Sequence, residues 1–156
     1  MFYREGAGFA VEEVRPYGPN VLSFEVVSGR RRWYIIGCYL APDDAWTIER
    51  VVTALGDQPR GTALIVAGDL NTDLGNIDYD GRGTKILAAI TESGLEDMAA
   101  LFLPRKQKWG RERRTWAMVR GGKAVRSRTD YILGTDRSLF RKWPSGTPAT
   151  IRITTW

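Results

Sequence analysis

The chain has 156 residues, of which 43% are hydrophobic and 26% are charged, which fits one globular domain and leaves too little chain for a second core. Its longest apolar run, Trp33–Ala41, is far shorter than the roughly 20 residues of a membrane span, and the first residues lack the apolar core of a signal peptide. We therefore expect an intracellular monomer with no membrane partner.

Histidine is absent from the sequence, and cysteine occurs once, at Cys38. These two facts exclude Ser-His-Asp and Cys-His catalysis by this chain, as well as any metal site with histidine ligands. Cys38 lies in an apolar run, where a buried and unreactive thiol is the usual outcome. Hydrolysis by this chain would have to depend on carboxylates and a hard cation.

Basic residues are concentrated in one segment of the chain. The net charge is +5, and residues 105–128 carry ten Lys or Arg against one acid, with Trp109 and Trp116 among them. A solvated basic loop and hairpin is the ordinary explanation of such a segment. The clustering of cations with aromatic side chains favours instead a surface that faces phosphates.

The first half of the chain is predicted to form three strands and a helix. Phe9–Arg15 and Val21–Gly29 alternate apolar and polar residues and have turn residues between them, as antiparallel strands do. Arg31–Pro42 continues as a more fully buried strand. Two aspartates follow that can cap a helix, whose apolar spacing runs to Gly56.

The second half begins with a buried strand, Ala63–Asn71. A helix is predicted from a cap at Thr84 to Gly94, and residues 95–102 add a short third helix. The last unit is a hairpin whose tight turn is Gly121–Gly122. This order of strands and helices indicates a layered α/β or α+β fold.

Four polar side chains close strand-like segments: Tyr39, Asp69, Asn71 and Asp130. Asp69 and Asn71 are two residues apart, so on a strand they would share a face. Each of the four by itself would ordinarily be structural. Together they indicate a cleft at one edge of the sheet, with residues 114–130 as a wall, because ligand-contacting groups gather at strand ends in α/β sheets.

The motifs "GCYLAPDD", "IVAGDLNTDLG" and "RRTWAMVRGGKAVRSRTDYILG" occur in this order. They resemble the endonuclease/exonuclease/phosphatase superfamily, the fold of DNase I and the abasic-site endonucleases. The similarity is greatest to the endonuclease domain of LINE-type (non-LTR) retrotransposons of fungi, and it extends to about Arg141. The resemblance implies a DNase I-like α/β sandwich of two stacked sheets, in an element that acts in the nucleus.

The resemblance also implies a role for each side chain at the strand ends. Asp69 orients or deprotonates the attacking water, and Asn71 and Tyr39 contact the scissile phosphate. Asp69 and Asn71 are the implied ligands of a Mg²⁺ or Mn²⁺ ion, which polarises the phosphoryl oxygen. Asp130 orients a histidine in the family. The implied reaction is hydrolysis of a phosphodiester that nicks target DNA.

The hairpin lies along the DNA in this interpretation. The residues assigned to nucleic-acid contacts are Arg113, Arg114, Trp116, Arg126 and Arg128.

The sequence departs from the family pattern on both sides of the motifs. The Asn and the metal-binding Glu that the family has upstream of "FYRE" are missing, and so is the "SDH" motif expected downstream of "DYI". We therefore expect an incomplete sandwich, a weakly held metal ion and little or no turnover. The alternatives are a non-catalytic nucleic-acid-binding remnant and a phosphatase or RNase of the same superfamily.

Residues 142–156 have no family-like character, which limits the partial endonuclease domain to residues 1–141. A shift of the reading frame by one base at Lys142 and Trp143 permits the translation "VAVRDPRHNSDH", which ends in the missing motif. We interpret the tail as the product of a frameshift that was never selected to pack in this fold. The alternative is a genuine variant terminus.

Overall fold

The computed structural model describes residues 8–75, 81–102 and 114–140. The elements in chain order are β1 (Ala10–Pro16), β2 (Val21–Ser28), β3 (Arg31–Tyr39), α1 (Trp46–Gly56), β4 (Ala63–Asp69), α2 (Gly81–Glu92), β5 (Glu96–Asp97), α3 (Met98–Phe102), β6 (Trp116–Arg120), β7 (Lys123–Ser127) and β8 (Asp130–Gly134), followed by a 3-10 helix, Arg137–Phe140.

The described strands form one mixed sheet and one hairpin. The large sheet has the order β1-β2-β3-β4-β8-β5, and β6 and β7 pair separately. Only β3 and β4 are parallel, and α1 makes the crossover between them, as a parallel pair requires. The α/β fold class predicted from the pattern of elements is confirmed.

Two elements differ from their predicted form. The helix α2 begins at Gly81, so Thr84 lies inside it instead of at its cap. Glu96 and Asp97, which were expected in the third helix, form a short strand against β8, opposite Gly134 and Leu133. Pairing with the edge of the sheet satisfies their backbone groups better than one isolated helical turn would.

The core lies between the helices and one face of the sheet. Alternate residues of β3 (Tyr34, Ile36 and Cys38) point to this face and are buried, and side chains from α1 and α2 cover them. Cys38 is buried, as expected for a thiol in an apolar strand. The cluster consists of Val21, Tyr34, Ile36, Cys38, Leu40, Ile48, Ala54, Leu64, Val66, Leu70, Ile86, Leu95, Tyr131 and Leu133.

The opposite face of the sheet carries Tyr39, Asp69 and Asp130, and we call it the site face. The apolar residues there, such as Ile35, Ile65 and Ile132, are only half-buried. In a two-sheet sandwich a second sheet packs on such a face. Within the described ranges, the strands outside the large sheet are those of the separate hairpin β6–β7.

Three sequence predictions fall outside the described residues. They concern residues 1–7 with the "FYRE" motif, the basic stretch 105–113 with Arg113, and the tail 142–156. No helix in the part of the chain that is described is long and apolar enough to cross a membrane.

Candidate active site at the ends of β3, β4 and β8

The register of three neighbouring strands brings Tyr39, Asp69 and Asp130 together. Tyr39 pairs with Asp69 between β3 and β4, and Asp69 pairs with Asp130 between β4 and β8. Directly paired residues point to the same face of a sheet, and neighbouring strands are about 4.8 Å apart. The three side chains therefore form a row at one edge of the site face, as their strand-end positions predict.

Gly68 allows Asp69 to lie beside Tyr39. Its φ is +152°, and a Cβ atom on this residue would lie 1.8 Å from the carbonyl oxygen of Cys38. No other residue fits this position, because β3 and β4 come too close there. Gly68 was not among the residues predicted from the sequence, although a glycine inside an apolar strand is the usual signal of a close backbone approach.

Asp69 and Asn71 are linked by a turn, so the expectation that they share a strand face is wrong. The strand β4 ends at Asp69, and Asn71 has a φ of +46°, a left-handed conformation that asparagine tolerates well. Its backbone N–H donates to Asp69 Oδ1 over 2.8 Å, and its Nδ2 donates to the carbonyl oxygen of Leu40 over 2.9 Å. These bonds fix the carboxylate and the carboxamide side by side.

Tyr39 is the most accessible member of the row. Its side chain is 46% exposed, and its hydroxyl group has no hydrogen-bond partner among the described residues. The hydroxyl is therefore free to donate to a ligand at the edge of the sheet.

Thr115 connects the hairpin to the site, a role that the sequence analysis missed. Its Oγ1 accepts hydrogen bonds from the backbone N–H groups of Thr129 (3.0 Å) and Asp130 (3.1 Å). Because Thr115 directly precedes β6, these bonds hold the base of the hairpin next to Asp130. A short polar residue before a strand is too common a pattern to have predicted this contact.

The two arginines near the end of the hairpin differ in their surroundings. Arg126 is exposed, whereas the side chain of Arg128 is only 14% exposed and forms an ion pair with Asp97. Its guanidinium also lies over the ring of Tyr131, 4.2 Å from the ring centre. The guanidinium of Arg128 is thus occupied by contacts within the protein, which disagrees with the prediction that Arg128 contacts DNA. Arg114 and Trp116 are exposed, as that prediction requires.

Burial determines the protonation state of the thiol next to the site. It raises the pKa of Cys38 to about 12, and the nearby negative charge of Asp69 adds to the effect. The thiol is therefore protonated at neutral pH and is a poor nucleophile.

The carboxylates at the site are ligands of the type that a hard divalent cation takes. No group of three or more acidic or cysteine side chains within the described ranges is arranged to hold a metal. Asp69 and Asp130 nevertheless offer two carboxylates on neighbouring strands, and Asn71 adds a carboxamide oxygen. Mg²⁺ commonly has one or two protein carboxylates, several waters and substrate phosphates as ligands.

The sequence matches the profile of the Endonuclease/Exonuclease/phosphatase family over residues 3–151. The chain belongs to this family. The match runs past residue 141, where the sequence analysis ends the family-like segment, and it confirms the superfamily that the motifs indicated. None of the curated proteins matches the chain.

Three solved structures have a similar fold. The endonuclease domain of TRAS1, a telomere-specific non-LTR retrotransposon, is 21% identical, with a TM-score of 0.63 over 86% of this chain and 59% of that one. A family member from Leptotrichia buccalis is 19% identical, with a TM-score of 0.52 over 75% and 42%. The AP endonuclease LMAP from Leishmania major is 13% identical, with a TM-score of 0.51 over 85% and 54%.

At such low sequence identities, the structural similarity shows a shared fold and no more. The chain spans about three fifths of the TRAS1 domain and about half of the other two structures.

Proposed function

We propose that this chain forms the Asp69-centred part of the active site of a metal-dependent DNA endonuclease of the LINE-retrotransposon type, and that by itself it binds DNA with little or no turnover. The observation that carries the proposal is the row of Tyr39, Asp69 and Asp130 on three paired strands, in a chain whose family hydrolyses phosphoesters. The parent element would act in the nucleus.

Asp69 is the group placed to act on water. Its Oδ1 accepts the N–H of Asn71, which fixes the carboxylate and leaves Oδ2 to orient the water or to take its proton. A general base must lie within hydrogen-bond distance of that proton. A Mg²⁺ ion held by Asp69, Asn71 and Asp130 would polarise the phosphoryl oxygen and stabilise the leaving oxygen.

Tyr39 and Asn71 are the groups placed to contact the scissile phosphate. The hydroxyl of Tyr39 is accessible, and the carboxamide of Asn71 keeps one N–H beyond the one given to Leu40. Neutral donors at this position would stabilise the negative charge that grows on the phosphoryl oxygens in the transition state.

The low turnover follows from the absence of histidine in the chain. In the family a histidine oriented by the equivalent of Asp130 stabilises the transition state, and here Asp130 has none to orient. Each 1.4 kcal/mol of lost transition-state stabilisation lowers the rate about tenfold. Loss of this donor therefore removes a large part of the rate enhancement.

The hairpin supports DNA as the substrate over a small phosphoester. Arg114, Lys123 and Arg126 are exposed and have no carboxylate partner among the described residues. Trp116 is 39% exposed on the same hairpin and offers an aromatic face to a base. A phosphatase of small substrates has no need of such a surface at the side of its site.

DNA binding and plasmid nicking by the purified chain test the proposal. We expect duplex affinity to fall steeply between about 50 and 200 mM salt, and supercoiled plasmid in Mg²⁺ to be nicked no faster than by Asp69→Ala. Robust nicking that Asp69→Ala abolishes would show that the chain is a competent enzyme. A duplex affinity that does not depend on salt concentration would exclude DNA as the partner.

The second candidate is a nucleic-acid-binding module with no catalytic role, which the unpaired cations of the hairpin favour. Its signature is salt-dependent binding that Mg²⁺ does not change. If Mg²⁺ tightens binding in the wild type but not in Asp69→Ala, the metal site is present and the endonuclease assignment is supported.

A further inference from the structure

Arg82 holds the segment that directly follows Tyr39. It is the second residue of α2, and its guanidinium reaches three successive carbonyl groups after the end of β3. Nη2 donates to the carbonyl oxygen of Leu40 over 2.7 Å. Nη1 donates to the carbonyl oxygens of Ala41 and Pro42, each over 3.0 Å. One side chain thereby fixes the direction in which the chain leaves the site.

The carbonyl of Leu40 joins Arg82 to Asn71. The same oxygen that accepts Nη2 of Arg82 also accepts Nδ2 of Asn71 over 2.9 Å, and a carbonyl has two lone pairs for this purpose. The N–H of Leu40 donates to the carbonyl oxygen of Asp69 over 2.8 Å. A displacement of Leu40 would therefore move the carboxamide of Asn71 relative to Asp69.

The surroundings of Arg82 differ from those of the other partly buried arginines. Arg50 and Arg128 pair with Asp44 and Asp97, whereas within the described ranges Arg82 has no carboxylate at ion-pair distance. Its Nε is buried and has no hydrogen-bond partner there. A buried N–H group without an acceptor lowers stability, so packing of α2 alone does not account for this residue.

We propose that Arg82 is a positioning residue of the active site, which acts through the Leu40 carbonyl to fix Asn71 for contact with the phosphate. The inference rests on the proposed function for the meaning of that contact. The planar fork of the guanidinium is what serves three carbonyls at once, and a lysine ammonium cannot reproduce it. Arg82→Lys therefore removes the geometry and keeps the charge.

A double-mutant cycle in DNA binding tests the proposal. Arg82→Lys should weaken duplex binding about fivefold in the wild-type background and leave it nearly unchanged in the Asn71→Ala background, because the two residues act on one contact. Arg137→Lys is the matched control, since Arg137 forms an exposed pair with Glu96 at the other end of the sheet. Equal losses in both backgrounds would overturn the inference.

An NMR measurement separates this inference from the proposed function. The side-chain amide signals of Asn71, assigned by their loss in Asn71→Ala, should shift in Arg82→Lys and stay in place in Arg137→Lys. Unchanged Asn71 signals in Arg82→Lys would also overturn the inference. If the wild type does not bind DNA, the proposed function fails while this measurement still decides the contact. Should Arg82→Lys not fold, Arg82→Gln, which keeps one donor, takes its place with the same readouts.

Discussion

Gly68 and Asn71 stand on either side of the Asp69–Leu70 pair, and both have positive φ values. Gly68 has a φ of +152° at the close approach of β3 and β4, and Asn71 has a φ of +46° in the turn that follows. The first lets Asp69 lie next to Tyr39, and the second returns the chain so that its N–H meets the Asp69 carboxylate. The "GDLN" motif thus sets the path of the backbone at the end of β4 and also supplies the reactive groups.

Gly68→Ala should destabilise the protein severely. The added Cβ would lie 1.8 Å from the Cys38 carbonyl oxygen, so the two strands must separate, and we expect a loss of about 3 kcal/mol or failure to fold. Gly56→Ala is the control, because a Cβ at Gly56 meets nothing within 4 Å and alanine favours the helix end. Urea unfolding of both variants checks the prediction, and equal midpoints would contradict it.

Alkaline pH should weaken the fold through Cys38. Its pKa is raised from 9.0 to about 12 by burial, so the thiol ionises in the unfolded state first. The corresponding stability is fully present below about pH 9 and is lost as the pH rises toward 12, amounting to about 1.4 kcal/mol by pH 10. Burial also raises the pKa of Tyr131 to about 12, which adds to the loss above pH 10.

Urea unfolding at several pH values in the wild type and in Cys38→Ala measures this effect. The decline between about pH 8 and 10 should be smaller in Cys38→Ala by about 1.4 kcal/mol. The same decline in both proteins would show that the thiol is not responsible.

At the scale of elements, the junction between the hairpin and β8 is held by two kinds of contact. Thr115 binds the backbone at Thr129 and Asp130, and Arg128 connects the start of β8 to Asp97 of β5. Together they fix the base of the hairpin while its strands remain exposed. Arg126, two residues before Arg128, is exposed and stays available to a phosphate.

Arg128→Ala and Arg126→Ala should therefore change different properties, the first stability and the second DNA binding. The first leaves Asp97, whose side chain is 22% exposed, without its partner, and we expect a loss of about 2 kcal/mol in stability. The second should change stability by less than about 0.5 kcal/mol and lower the salt slope of DNA binding by about one. Urea unfolding and salt titrations of DNA binding, carried out on both variants, test this prediction. A large loss of stability in Arg126→Ala would contradict the view that Arg126 is free of internal contacts.

At the scale of the whole molecule, the sheet is covered by helices on one side and only in part on the other. The site face carries half-buried isoleucines beside the candidate active site, where the sandwich architecture of the family has a second sheet. The motif that would supply a histidine to Asp130 lies, in our interpretation of the tail, in the shifted frame of residues 143–156.

The coding sequence decides that interpretation. The junction of the Ile151 and Arg152 codons should read TCG, and the two codons after it in the shifted frame should give Asp and His. A chain translated in the shifted frame should then nick plasmid faster than the present one, because Asp130 gains the histidine it lacks. Any other reading of those codons would make the tail a genuine variant terminus.

From the sequence alone we could predict the family, most of the strands and helices, and the strand ends at which Tyr39, Asp69 and Asp130 lie. These features follow from local periodicity and motif order, which a linear chain displays directly. The exact ends of α2 and the short strand β5 were missed, because contacts remote in sequence decide them.

The folded structure was needed to show which side chains are paired within the protein and which remain free. Arg126 and Arg128 are equivalent in sequence, yet one is exposed and the other is paired with Asp97, 31 residues away. Arg82 reaches carbonyl groups 40 to 42 residues earlier in the chain, and Gly68 is required by a strand that precedes it by about 30 positions. Such contacts depend on how the strands register across the sheet, and register is a property of the folded chain that no local pattern contains.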